Sequence, residues 1–101
     1  MKKIRVVIVD DEPEARNGLK YSIKEDEELE LLTSCTNGLE AIEVINNDQV
    51  DIVFLDIQMP EIDGFEVLKN VRVQKMPLII FVTAYDEFAI KAFEYHAIDY
   101  L

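Results

Sequence analysis

An α/β domain built on a doubly wound parallel sheet is predicted by two observations. Solid apolar runs recur as IRVVIV (4–9), DIVFL (51–55) and LIIFVTA (78–84). Each is too short for a helix and is rich in β-branched or aromatic residues, the composition of strands. Between them lie segments whose apolar residues recur at helical spacing. Strands that are apolar on both faces need a covering layer on each side, and short crossover helices supply it.

Taken in order, the first strand spans 4–9 and stops on three acids, Asp10, Asp11 and Glu12. Pro13 suits the first turn of a helix, and Ala15, Leu19 and Ile23 follow at a spacing of four. The stretch LELLTSC (29–35) alternates weakly and reads as an edge strand. In GLEAIEVINN (38–47), Ala41, Ile42 and Ile45 share one helical face. The third strand ends at Asp56, and in GFEVLKNVR (64–72) Phe65, Leu68 and Val71 form the next apolar stripe. The fourth strand ends at Thr83. EFAIKAFEYH (87–96) offers Ala89, Ala92 and Phe93 as a further helix face, and AIDYL (97–101) opens a fifth strand. No linker, low-complexity segment or repeat interrupts this βα rhythm.

Composition narrows the function. The 101 residues suit one domain, 1–101. Twenty-one acids against ten Lys and Arg give a net charge of −11, which argues against direct nucleic-acid binding because phosphate backbones need cationic partners. No apolar run is long enough to span a membrane, and MKKIR leads into a strand rather than a signal peptide. The lone Cys35 cannot form an internal disulfide; it fits a reducing cytoplasm and reads as a small buried hydrophobe.

In sheets of this kind ligands bind at the carboxyl ends of the strands. Asp10 and Asp11 stand at the first such end, Asp56 at the third and Thr83 at the fourth. The acids after the first strand could simply favour the positive end of a helix dipole. Carboxylates converging on one rim would instead repel and raise one another's pKa unless a cation sat among them. Hard oxygen ligands, with waters and phosphate oxygens completing an octahedron, are what Mg²⁺ prefers.

The motifs VDDEP, LDIQMPEIDGFE and VTA, in this order and spacing, resemble the response-regulator receiver (CheY-like) domain of bacterial two-component signalling, and the resemblance runs from Lys3 to Leu101. It implies a flavodoxin-like five-stranded sheet of order 2-1-3-4-5. It makes Asp56 the phosphoacceptor for a histidine kinase, with Mg²⁺ bound directly by Asp11, Asp56 and the backbone carbonyl of Gln58, and by Asp10 mainly through a water. It gives Thr83 the hydroxyl that bonds a phosphoryl oxygen, and Ala84 the small side chain that leaves the site open. Met59 and Pro60 shape the loop after Asp56, and Gly64 frees the turn before the next helix. Tyr100 matches the aromatic that turns inward when Thr83 moves, while Gln58 and Tyr85 flank the phosphoryl group. Catalysis would extend no further than self-phosphorylation and slow autodephosphorylation. The stretch FVTAYDEFAIKAFEYHAIDYL further resembles receivers that precede LytTR-type DNA-binding domains, so transcription regulation is the implied output.

Other acids and aromatics are given plainer roles. Asp63 reads as a turn or helix-cap residue, and Glu12 as either an outer acid of the site or a helix-start charge. His96 reads as a helix C-terminal cap, with Phe88 and Phe93 packing the fourth helix.

Receivers carry a Lys shortly after the switch aromatic, which pairs with the phosphoryl group, then usually a Pro and a final helix. The sequence stops at Leu101, before these, so the chain is expected to be truncated with its last helix missing. Apolar side chains of central strands such as VVIV (6–9) are then expected to be exposed, which allows a homodimer. Rival readings are a degenerate receiver that binds protein without phosphorylation, a flavodoxin-like nucleotide binder, and a haloacid-dehalogenase-like phosphohydrolase. The last requires a second Asp two positions after the nucleophile, and position 12 is Glu; the nucleotide binder requires a Ser/Thr/Gly-rich phosphate cradle that the first loop lacks.

Overall fold

The computed structural model describes residues 2–82 and the backbone of 99–100. Strand β1 spans Ile4–Val9, helix α1 Pro13–Lys24, β2 Leu29–Cys35, α2 Gly38–Asn47, β3 Ile52–Leu55, α3 Gly64–Lys69, β4 Leu78–Phe81 and β5 Asp99–Tyr100. The strands form one sheet in the order β2-β1-β3-β4-β5, every neighbouring pair parallel. This is the predicted doubly wound topology, with β2 at an edge. Among the described residues no helix is long and apolar enough to cross a membrane.

Local chemistry sets the helix limits. Pro13 opens α1 with its φ already helical, and Glu12 before it is extended. Asn37 caps α2 by accepting the Glu40 N–H at 2.9 Å. A reciprocal capping box starts α3: Asp63 accepts the Glu66 N–H, and the Glu66 carboxylate accepts from Asp63. The end of α3 comes earlier than the periodicity through Val71 implies. Asn70 donates its side-chain amide to the Glu66 carbonyl, and Asn46 of α2 captures the Arg72 N–H at 2.6 Å. Val71 stays buried although it lies beyond the helix.

The core is split by the sheet. Val7 and Val9 of β1 join Val53, Leu55, Ile79 and Phe81 beneath α2 and α3, where Phe65 and Phe81 meet with ring centroids 5.2 Å apart. Val6 and Ile8 point the other way, to Leu19 and Ile23 of α1. A register shift in β2 serves this division. Val6 pairs with Leu31 but Val7 with Thr33, so Leu32 is an extra residue, and the strand beyond it is turned over. Leu29 and Leu31 therefore pack on the α1 side, while Cys35, of the same parity, packs on the other.

The expectation that VVIV is exposed is overturned: Val6, Val7, Ile8 and Val9 are all 0–1% accessible. Leu19 and Ile23 of α1 cover the side of β1 that had been expected to lie bare. Partial exposure on that side falls instead on Ile52, Phe54 and Ile80 of β3 and β4, all half-buried.

Candidate phosphoryl and metal site

The site begins as a consequence of strand pairing. β1 runs out at Val9, and the Asp10 N–H still reaches across to the Cys35 carbonyl at 3.1 Å. On the other flank the Asp56 N–H donates to the Val9 carbonyl at 2.9 Å. The acids following β1 and β3 are thus locked side by side by ladder bonds. Asp10, Asp11 and Asp56 each bring a carboxylate oxygen within 4.8 Å of the others.

Asp10 is only 5% accessible. Its Oδ1 accepts the Glu12 N–H at 2.9 Å, and its backbone carbonyl accepts from Nη1 of Arg16 at 2.9 Å. Burial raises its carboxyl above the usual range, and the charge of Asp11 adds to that. The Glu12 N–H and the Arg16 guanidinium oppose the shift. Asp56 is pushed up to about 7, first by burial and then by the charges of Asp10 and Asp11, against donation from the backbone N–H groups of Gln58 and Ile57. Half-buried carboxylates in mutual repulsion are a place where a divalent cation restores balance, and an all-oxygen donor set suits a hard ion.

The loop after Asp56 is shaped from below. The Gly64 N–H donates to the Ile57 carbonyl at 2.8 Å, and a Cβ on Gly64 would stand 2.6 Å from the Asp56 carbonyl oxygen. Only glycine permits that approach. Glu61 has φ of 71° within a three-residue turn closed by the Ile62 N–H and the Pro60 carbonyl. Ile62 then lies against Gly38 at the start of α2, where a Cβ would meet its Cγ1 at 2.5 Å.

Of the residues singled out in the sequence, Asp10, Asp11 and Asp56 are brought together. Glu12 is exposed and stands outside the cluster, at the helix start. Asp63 is the α3 cap. Gln58 is exposed, with its N–H turned to Asp56. Thr83, Ala84, Tyr85, Phe88, Phe93 and His96 lie outside the described residues; the described backbone reaches Val82, whose N–H bonds the Leu55 carbonyl at 3.0 Å. Tyr100 sits in β5 in register with Phe81. Arg16 and Glu61 escaped the sequence reading. Arg16 lies one turn into an amphipathic helix, and nothing in its spacing marks a bond back to a strand-end carbonyl. Positive φ at a glutamate has no sequence signal at all.

A parallel five-stranded sheet with an acidic rim at its carboxyl end defines a class, and comparison with known proteins agrees. The family model of the response regulator receiver domain matches residues 6–101, and the chain belongs to that family. An uncharacterized response regulatory protein of Yersinia pestis is 53% identical over 98 residues, covering 97% of this chain and 41% of that protein. The transcriptional regulatory protein BtsR of Escherichia coli K12 is 47% identical over 98 residues, with the same coverage of 97% and 41%. The chain thus spans about two fifths of the length of these relatives. Among solved structures, the response regulator domain of Thermotoga maritima CheB superposes with a TM-score of 0.89 at 29% identity, covering 99% of this chain and 78% of that one. TrrA of Thermotoga maritima, solved in complex with Mg²⁺-BeF, gives a TM-score of 0.82 at 38% identity, covering 100% of this chain and 85% of that one.

Proposed function

We propose that this receiver domain accepts a phosphoryl group on Asp56 from a phosphohistidine of a sensor kinase. The observation that carries the reading is the meeting of the Asp10, Asp11 and Asp56 carboxylates within 4.8 Å at the carboxyl edge of the sheet. A carboxylate oxygen of Asp56 attacks phosphorus, the P–N bond to imidazole breaks, and an acyl phosphate remains. Asp11, Asp56 and the Gln58 carbonyl would hold Mg²⁺, with Asp10 acting through a bound water. Mg²⁺ would supply charge neutralisation between the carboxylates and the incoming phosphoryl oxygens.

The chain's own groups do the rest. The Gln58 and Ile57 N–H groups draw the Asp56 carboxylate toward its charged, nucleophilic form. Arg16 fixes the Asp10 carbonyl and so the turn that carries both acids. Gly64 lets the start of α3 pack against the Asp56 backbone carbonyl and so fixes the loop behind the nucleophile. Thr83 would bond a phosphoryl oxygen, Ala84 would leave room for it, and Tyr100 would follow Thr83 inward, carrying the switch to an output module. That output would be transcription control, which the name of the transcriptional regulatory protein BtsR supports, through the LytTR-type domain that the resemblance implies, and such a regulator would act in the cytoplasm.

The test is incubation with Mg²⁺ and a small phosphodonor such as acetyl phosphate. An acid-stable, base-labile phosphate is expected, and it is lost in Asp56→Asn. Labelling that survives this substitution would move the nucleophile elsewhere.

A further inference from the structure

The opposite end of the sheet carries a concavity that the phosphoryl chemistry does not use. It lies at the amino-terminal ends of β1, β3 and β4 and encloses about 620 Å³. A six-residue strand separates it from the acid cluster by about 20 Å. Its apolar wall includes Ile4, Met76 and Leu78, which are among the large hydrophobic side chains left exposed in the described residues, at 38%, 48% and 38%.

Its rim is cationic in a chain that is otherwise strongly anionic. Lys2, Lys3 and Lys75 all line it, three of the ten Lys and Arg residues in a chain of net charge −11. Two carboxylates face them, Asp48 and Asp51. Asp51 is already engaged, because its Oδ2 accepts the Arg5 N–H at 2.8 Å. Within the concavity three lysines stand against two carboxylates, while Lys2 and Lys3 also border an adjoining hollow lined by Glu27 and Glu28, which leaves Lys75 as the cation with no glutamate on its far side.

We propose that this concavity binds a small anionic amphiphile, a carboxylate head against the lysines and an alkyl or aryl body against Ile4, Met76 and Leu78. Size favours a small ligand over a protein partner. Small-molecule sites occupy roughly 300–1,000 Å³, whereas a standard protein interface covers about 800 Å² on each partner, far more than a few side chains offer. Charge selects the head group. Long-range repulsion from the rest of the chain weighs little on a single negative charge and heavily on an acidic protein surface.

The experiment uses decanoate below its micellar concentration, with decanol and decylamine as uncharged and cationic probes of the same length, followed by amide NMR on the Mg²⁺-bound domain. Decanoate is expected to give saturable shifts centred on Ile4, Met76 and Leu78. Lys75→Glu and Met76→Ser should each weaken it about tenfold or more, the loss of roughly 1.4 kcal/mol, and the two together should abolish it. Mg²⁺ binding and melting temperature, read on the same samples, should stay at the parent's values. Equal binding of the three probes, shifts centred elsewhere, indifference to both substitutions in folded protein, or a polyglutamate peptide binding as tightly as decanoate would each overturn the assignment.

Discussion

Replacing Asp56 by Asn should stabilise the domain in the absence of divalent cations, and the gain should depend on pH in a defined way. In the folded chain the Asp56 carboxyl rises from its ordinary 3.8 to about 7, through burial and then the charges of Asp10 and Asp11. The folded state therefore keeps a proton that the unfolded chain has released. Between about pH 4 and 7 stability must fall as pH rises, and above 7 the full penalty is present. At 1.36 kcal/mol per tenfold change in proton affinity, the penalty is at most about 4 kcal/mol. Asp56 is only half-buried, so solvent screening reduces this to about 2 kcal/mol. Asn keeps the shape and one acceptor oxygen but carries no charge. For a domain of this size about 2 kcal/mol corresponds to roughly 10 °C in melting temperature. Thermal unfolding by circular dichroism in EDTA at pH 8 should show that gain, shrinking at pH 5 and gone below pH 4. A variant no more stable than the parent at pH 8, or equally advantaged at every pH, would refute the repulsion that the site is argued to contain.

Other outcomes follow from the same structure. Millimolar Mg²⁺ should raise the melting temperature of the parent by mass action, and Asp11→Asn should blunt that response; an unchanged melting curve would count against a cation site. Gly64→Ala should cost about 1–3 kcal/mol, because its Cβ would meet the Asp56 carbonyl oxygen at 2.6 Å, and chemical denaturation measures this directly. Cys35 is buried, and burial pushes its thiol up to about 11, with the nearby Glu40 charge adding to the shift, so a thiol-alkylating reagent at pH 8 should label it only in denaturant. Tyr85 lies outside the described residues, but the receiver pattern sets it beside the phosphoryl group, where a bulky side chain would shield the acyl phosphate from water, so Tyr85→Ala should shorten the lifetime of the aspartyl phosphate, read by the decay of the labelled species.

Much of this site could be read from residues alone because two simple signals coincide in it. Apolar runs that end on acids give both the strand and the position of the acid on the sheet, and sheets of this topology place their chemistry at that edge. The cap of α3 was equally legible, Asp63 standing where a polar acceptor precedes an apolar stripe, whereas the Asn37 cap of α2 came only with the structure. What failed depended on contacts between distant segments. Val71 continues the α3 stripe by periodicity, yet the chain leaves the helix because Asn46, far away in sequence, takes the Arg72 N–H. The extra residue at Leu32 is invisible in LELLTSC, where a bulged strand and a plain one have the same composition. The burial of VVIV was misjudged because, among the described residues, α1 supplies Leu19 and Ile23 to cover that side of β1.

The bonds that join Asp10 to Cys35 and Asp56 to Val9 have a consequence for how the site moves. These bonds continue the β1–β2 and β1–β3 pairings one residue past the strand ends, so their amides should exchange more slowly than those of the loops. The turn around Glu61, held by the short-range bond from Ile62 to Pro60, can open on its own. The backbone of the acids is thus held by pairing between strands while the turn beside it fluctuates. The loop that follows them can rearrange around a fixed nucleophile, which lets a modest change of contacts at Asp56 be expressed as a change of loop conformation instead of a loss of the site.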